Sequence, residues 1–151
     1  MSVVLSYVPS TEGRGALSFG FAEARMRGTD LMVIAEDDSG SSPEFESDLD
    51  AARQAAGAAD VVFAIEPNDP ALSHADNLID ASYRDDVELI VIGIRRRSPV
   101  GKLLTGSAMQ RVLLDAQCPV SRSQTPGALG CVTTALQFEI ISIHVAVERL
   151  P

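Results

Sequence analysis

The sequence predicts an open, doubly wound α/β fold on a mostly parallel five-stranded sheet, and three observations predict it. Short apolar runs of strand length recur at regular intervals along the chain. Between them, apolar residues return at the three-to-four spacing of a helix with one buried face. The run Leu89-Ile90-Val91-Ile92 is apolar at every position. A strand without polar alternation wants cover on both faces, which is the mark of a parallel sheet.

The elements follow in order. Val3-Val4-Leu5-Ser6-Tyr7 reads as a buried first strand. Pro9-Ser10 then opens a helix, with Ser10 as cap, Glu12 at the positive end of the dipole, Leu17, Phe21 and Ala24 on one face, and Gly28 as its stop. Leu31 to Ala35 is the second strand, followed by an acidic, Gly/Ser-rich loop from Glu36 to Ser42. Ser42-Pro43-Glu44 combines a capping hydroxyl, proline at the first helical position and an acid in the first turn. Phe45, Leu49, Ala52 and Ala56 carry that helix's apolar face. Val61 to Ile65 is the third strand. Asp69-Pro70 repeats the cap-plus-proline signal for a helix through Leu72, Ala75, Leu78, Ile79 and Ser82. After the fourth strand and a loop from Gly93 to about Thr105, Met109, Val112, Leu113 and Ala116 define a further helix that ends before Cys118-Pro119. Strands alternating with helices by short links give right-handed crossovers and a flavodoxin- or Rossmann-like sheet.

The region after Pro119 is less regular. Val120-Ser121-Arg122-Ser123-Gln124 is too polar for a buried fifth strand, and residues 125–130 form a turn cluster. Residues Val132 to Val147 read as strand again. The chain therefore divides into an α/β domain over residues 1–120 and an atypical tail over 121–151, an edge or swapped strand or a segment foreign to the fold. An edge of that kind invites pairing with a second chain.

Composition narrows the function. The 151 residues are 46% hydrophobic, enough for one core, and carry a net charge of -9. An acidic balance argues against nucleic-acid and anionic-membrane partners, which call for broad basic faces. No run reaches the roughly 18 apolar residues of a membrane span, the start lacks the features of a signal peptide, and the two cysteines make neither a disulfide framework nor a zinc ribbon. A reduced, cytoplasmic protein is expected. The charge is also unevenly spread. Residues 1–92 hold 5 basic and 18 acidic side chains, whereas residues 93–120 hold 5 basic and 1 acidic.

That basic stretch sits where such sheets bind ligands, beyond the carboxyl end of a strand. Gly93 lets the chain leave the sheet, and Gly106-Ser107 stands at a helix N-terminus, whose free N–H groups and dipole favour an anion. Arg95, Arg96, Arg97 and Lys102 lie between and could neutralise a polyphosphate, or form a solvated basic loop held by surface ion pairs. Gly101-Lys102 is no Walker A loop, because Arg96 and Leu103 stand where that motif needs Gly and Ser or Thr. The first loop, Val8 to Gly15, lacks the Gly-x-Gly-x-x-Gly dinucleotide fingerprint.

From Val91-Ile92-Gly93 to Cys118-Pro119-Val120 the chain resembles the universal stress protein family. That family follows its fourth strand with Gly-x2-Gly-x9-Gly-[Ser/Thr] and closes the next helix with Cys-Pro-Val or similar. Gly93, Gly106 and Ser107 match. The resemblance extends over about residues 3–120 and implies a dimer joined through an edge strand. It also implies, in the ATP-binding branch, a site on those glycines and the serine, with Ser10 in the first loop and Mg²⁺ arriving with ATP. Two positions depart from the pattern. Arg96 replaces the second glycine, and could itself supply a charge-assisted hydrogen bond to phosphate. Val8 replaces the Asp expected near adenine.

Other residues offer less. Glu36-Asp37-Asp38 could hold Mg²⁺ near a phosphate or form a solvated acidic loop. His74, His144 and Cys118 make no Ser-His-Asp or Cys-His arrangement with a neighbouring loop, and Cys118 reads as a small apolar residue. No catalytic residue and no metal site is assigned. The sequence thus points to a regulatory binding module, dimeric, with an adenine-nucleotide or other anion site around Gly93, Arg96, Lys102, Gly106, Ser107 and Ser10. The alternatives are a structural dimer without ligand and an adenylyl-transferring enzyme, for which Val8 to Gly15 offers only Ser10, Thr11 and Glu12.

Overall fold

A computed structural model of the chain describes residues 1–94 and 107–124. Five strands form one sheet in the order β3-β2-β1-β4-β5, and every neighbouring pair is parallel. The strands are β1 (Ser2–Tyr7), β2 (Asp30–Ala35), β3 (Phe63–Glu66), β4 (Val87–Ile94) and β5 (Val120–Gln124). The helices are α1 (Thr11–Arg27), α2 (Pro43–Ala55), α3 (His74–Ser82) and α4 (Ser107–Asp115), with a 3-10 turn over Asp37–Ser41.

Strand periodicity sorts the side chains into two cores. Val3, Leu5 and Tyr7 of β1 join Leu31, Val33, Leu89 and Val91 under α1 and α2. Val4, Ile34, Ile90 and Ile92 face the other way, under α3 and α4 with Leu78 and Val112. Both faces of the three central strands are thereby covered, which is why β4 needs no polar alternation. Each fully buried Leu, Ile or Phe contributes roughly 1.5–3 kcal/mol of transfer free energy.

The helix ends obey the local signals. Ser10 caps α1, its Oγ accepting from the Gly13 N–H at 3.1 Å, and Gly28 closes the helix in the left-handed conformation at φ 65°. Ser42 caps α2 through the Phe45 N–H at 3.1 Å, with Pro43 in the first turn. Two expectations need correction. Asp69-Pro70 does not start α3. The Asp69 carboxylate accepts from the Ala71 N–H at 2.9 Å, so the pair makes a turn, and the helix begins four residues later behind a Ser73 cap. Asx turns and helix caps use the same residue types, so the signal was ambiguous. The polar stretch 120–124 is nonetheless a strand, pairing with Ile90 to Ile94 along its length. It occupies an edge of the sheet, where polar residues are no penalty. The domain's last strand thus runs past residue 120, while 125–151 lie outside the described residues, as do the expected strand at Val132 to Val147, Cys131 and His144.

The face that α1 presents to the sheet is made largely of small residues: Gly13, Ala16, Gly20 and Ala24 are buried beside Leu17 and Phe21. A Cβ on Gly20 would lie 2.8 Å from Leu5 Cδ1 and 3.4 Å from Leu31 Cδ1. Gly20→Ala gains about 1 kcal/mol of helix propensity against the displacement of a rotatable methyl, so its stability is expected within about 1 kcal/mol of the parent. Gly20→Val adds branches with no space to receive them and is expected to lose about 1–3 kcal/mol. Urea denaturation of both variants checks this, and a Gly20→Val midpoint equal to the parent's would show that the α1 seam is loosely packed.

Candidate functional site

The chain runs outward from β1 to β2 and β3, then returns across the sheet to β4 and β5. Strand order therefore reverses between β1 and β4, where the two departing chains diverge and leave a crevice at the carboxyl ends. A cleft of about 220 Å³ opens there, lined by Ser6, Val8, Ser10, Glu12, Gly13, Gly93 and Met109.

Each wall has a local cause. The loop after β1 folds back on itself through the Ser10 N–H to Val8 carbonyl bond at 2.7 Å, which presents Ser10 as the cap of α1. The first turn of α1 lies so close to this loop that a Cβ on Gly13 would overlap the Val8 carbonyl. On the other side, a Cβ on Gly93 would overlap the Glu12 carbonyl. Gly93 is thus required by backbone contact between the end of β4 and the start of α1. Met109 comes from the first turns of α4.

Of the residues expected at the site, Ser10 and Gly93 line this cleft, and Ser107 is the first residue of α4. Arg96, Lys102 and Gly106 lie outside the described residues. Ser6, Val8, Glu12, Gly13 and Met109 were not singled out by the sequence pattern as ligand-facing. Ser6 carried a signal: it is a polar residue in a strand that is otherwise apolar from Val3 to Tyr7, on the same face as Val4.

The floor holds one polar pair. Ser6 Oγ lies 2.8 Å from His74 Nε2, joining β1 to the first residue of α3. Burial holds the His74 pKa below the usual histidine value, and the Asp37 carboxylate offsets this in part. Glu12 is the one ionisable residue among the described lining residues. Among the described residues, a bound anion would therefore draw on the helix N-termini. Asp37 adopts a left-handed backbone at φ 49° within the 3-10 turn. Among the described residues no three His, Cys, Asp or Glu side chains converge as a metal site would require. Cys118 is half-buried against the α3–α4 core, and burial raises its thiol pKa. A thiol so placed is a poor nucleophile. A wider groove of about 420 Å³ lies over Arg14, Pro43, Glu44, Ser47 and Asp48, but it is shallow and its wall is largely charged surface.

Two measurements probe this geometry. Gly93→Ala should lose about 1–3 kcal/mol, because the obstructing atoms are backbone and cannot rotate aside; an unchanged melting temperature would contradict the close contact. For His74, a lowered folded pKa means that the unfolded chain takes up the proton first. Stability is then full above the unfolded value of about 6.5 and falls as pH drops through it, levelling once the folded form is also protonated. Between pH 7 and 5 the parent should lose stability more steeply than His74→Gln, as read by urea midpoints across pH.

The described residues include no helix long and apolar enough to cross a membrane. The sequence pattern of the universal stress protein family matches residues 1–121. A universal stress protein of Mycolicibacterium smegmatis is 38% identical over 125 residues, covering 78% of this chain and 93% of the relative. Among solved structures, a universal stress protein from Archaeoglobus fulgidus superposes with a TM-score of 0.62 at 28% identity, covering 81% of this chain and 97% of its own. The universal stress protein from Archaeoglobus fulgidus in complex with dAMP shares the fold at a TM-score of 0.57 and 22% identity, covering 81% and 96%. By pattern, by relative and by fold, the chain belongs to the universal stress protein family.

Proposed function

We propose that the chain is a cytoplasmic stress-response module that binds an adenine nucleotide, ATP foremost, in the cleft between β1 and β4. The observation that carries this reading is the position of the cleft: it opens at the switch point, between a capped α1 N-terminus and the backbone of Gly93. A solved protein of the same fold binds dAMP, which adds support by analogy of fold. The cleft's 220 Å³ is below the roughly 300–1,000 Å³ of common ligand pockets. It suits one part of a nucleotide, and the phosphates would fall to Arg96, Lys102, Gly106 and Ser107. Mg²⁺ is expected to arrive with the triphosphate, whose oxygens are its natural ligands.

In this reading the protein regulates by binding, and turnover of nucleotide is slow and incidental. Ligand engages the basic residues and changes the contacts between two copies of the chain, joined along the outer edge of β5. A second reading, a dimer without ligand, is favoured by one observation: Val8 brings an apolar side chain to the cleft wall where the ATP-binding branch has an Asp.

Calorimetric titration of ATP into the full chain, with and without Mg²⁺, separates the two. Binding should release measurable heat, and at ligand one hundred times Kd should add about 2.7 kcal/mol of stability, close to 10 °C in melting temperature. Absence of heat and of any thermal shift at millimolar ATP would leave the dimer reading standing alone.

A further inference from the structure

The Ser6–His74 pair has a direction. Ser6 is 2% exposed and lies at the floor of the cleft, on the face of β1 that meets α3 and α4. Behind it, His74 Nε2 lies 2.8 Å from the hydroxyl oxygen. The other ring nitrogen, Nδ1, is buried and has no hydrogen-bond partner among the described residues. Among the described residues, Asp37 is the charged group that acts on the ring, through space and without bonding Nδ1.

A neutral imidazole has one N–H and one lone pair, and these facts decide which nitrogen holds which. With the proton on Nδ1, a buried N–H would point at nothing, and orphaned buried donors are rarer than under-used acceptors. With the proton on Nε2, that N–H donates to Ser6 Oγ, and only the Nδ1 lone pair goes unused. A second proton is opposed by burial and by the positive end of α3, where His74 is the first residue. Ser6 then accepts from His74, so its own O–H remains to donate.

We infer that His74, as the Nε2–H tautomer, leaves the Ser6 O–H directed to donate at the cleft floor, so that the ligand group it meets there is an acceptor. That group is an oxygen or an unprotonated ring nitrogen of the nucleotide, because an amino group there would leave the Ser6 O–H without an acceptor. Ser6 makes the contact and His74 is a positioning residue. The identity of the ligand rests on the nucleotide reading above; the tautomer does not.

The tautomer is read on the full chain labelled with ¹⁵N-histidine, from two-bond ¹⁵N–¹H correlations at pH 7.5. The chain has 2 histidines, and the His74→Gln spectrum assigns His74. The Nε2–H pattern is expected; an Nδ1–H pattern or an even mixture overturns the inference. With ATP as probe, Ser6→Ala should weaken binding about tenfold, the loss of a single hydrogen bond. His74→Phe should cost a similar factor by freeing the hydroxyl to turn, and His74→Gln, whose amide N–H still donates, should recover most of it. Amide spectra check that each variant is folded. Wild-type affinity in Ser6→Ala overturns the inference while leaving the nucleotide reading intact. If ATP binds neither parent nor variants, the nucleotide reading falls, and the tautomer alone decides whether Ser6 is a donor.

Discussion

The structure depends on a close backbone contact at the seam between β1 and β4. Gly13 lies against the Val8 carbonyl and Gly93 against the Glu12 carbonyl, each without room for a Cβ. These two contacts seat the first turn of α1 directly over the carboxyl ends of the central strands. Neither glycine has a positive φ, so the requirement is one of space and not of backbone conformation. Once α1 is seated, the Ser10 cap, the cleft and the approach of α4 follow from the chain path. A side chain at either position would push the helix off the seam, and the site would lose its walls before it lost any polar group.

Legibility in the sequence followed the range of the interactions. Strands and caps are local, and Ser10, Gly28, Ser42 and the apolar run Leu89 to Ile92 within β4 carried their own signals. Asp69-Pro70 misled because a carboxylate that caps a helix can equally bond the backbone two residues on, and here the Ala71 N–H takes it. Residues 120–124 misled for another reason. Polarity argues against a central strand, yet β5 sits at an edge, and an edge position depends on the whole sheet. The cleft was half visible. Ser10 and Gly93 stood out by type and position, but Ser6 and His74 are 68 residues apart, and no local pattern announces such a pair.

Electrostatics divides the proposed site in two. Its described walls are neutral apart from Glu12, while the positive charge of residues 93–120 is concentrated in Arg95, Arg96, Arg97, Lys102 and Arg111. Arg111 is engaged with Asp76 at 2.6 Å, tying α4 to α3, so its charge is spent on the scaffold. An exposed pair of this kind adds little to stability, but it removes one cation from those available to a ligand. The remaining four belong to the loop between Gly93 and Ser107. In the proposed nucleotide reading, the cleft would take an uncharged part of the ligand, which suits its small volume, and the basic residues its anionic part.

The Ser6–His74 pair has the spacing of a nucleophile and its base, yet its surroundings favour binding over catalysis. A histidine that takes a proton from serine becomes an imidazolium, and the familiar catalytic arrangement stabilises it with a carboxylate hydrogen-bonded to the second ring nitrogen. Here Nδ1 is buried without a partner among the described residues, Asp37 acts only through space, and the α3 N-terminus adds an opposing field. Burying an unpaired charge costs several kcal/mol, and that cost would fall on the transition state. The same features cost nothing to a neutral ring that holds a hydroxyl in place. A pair that is poor at moving a proton can still be good at keeping one pointed in a fixed direction, and in this cleft that is the role its environment leaves open.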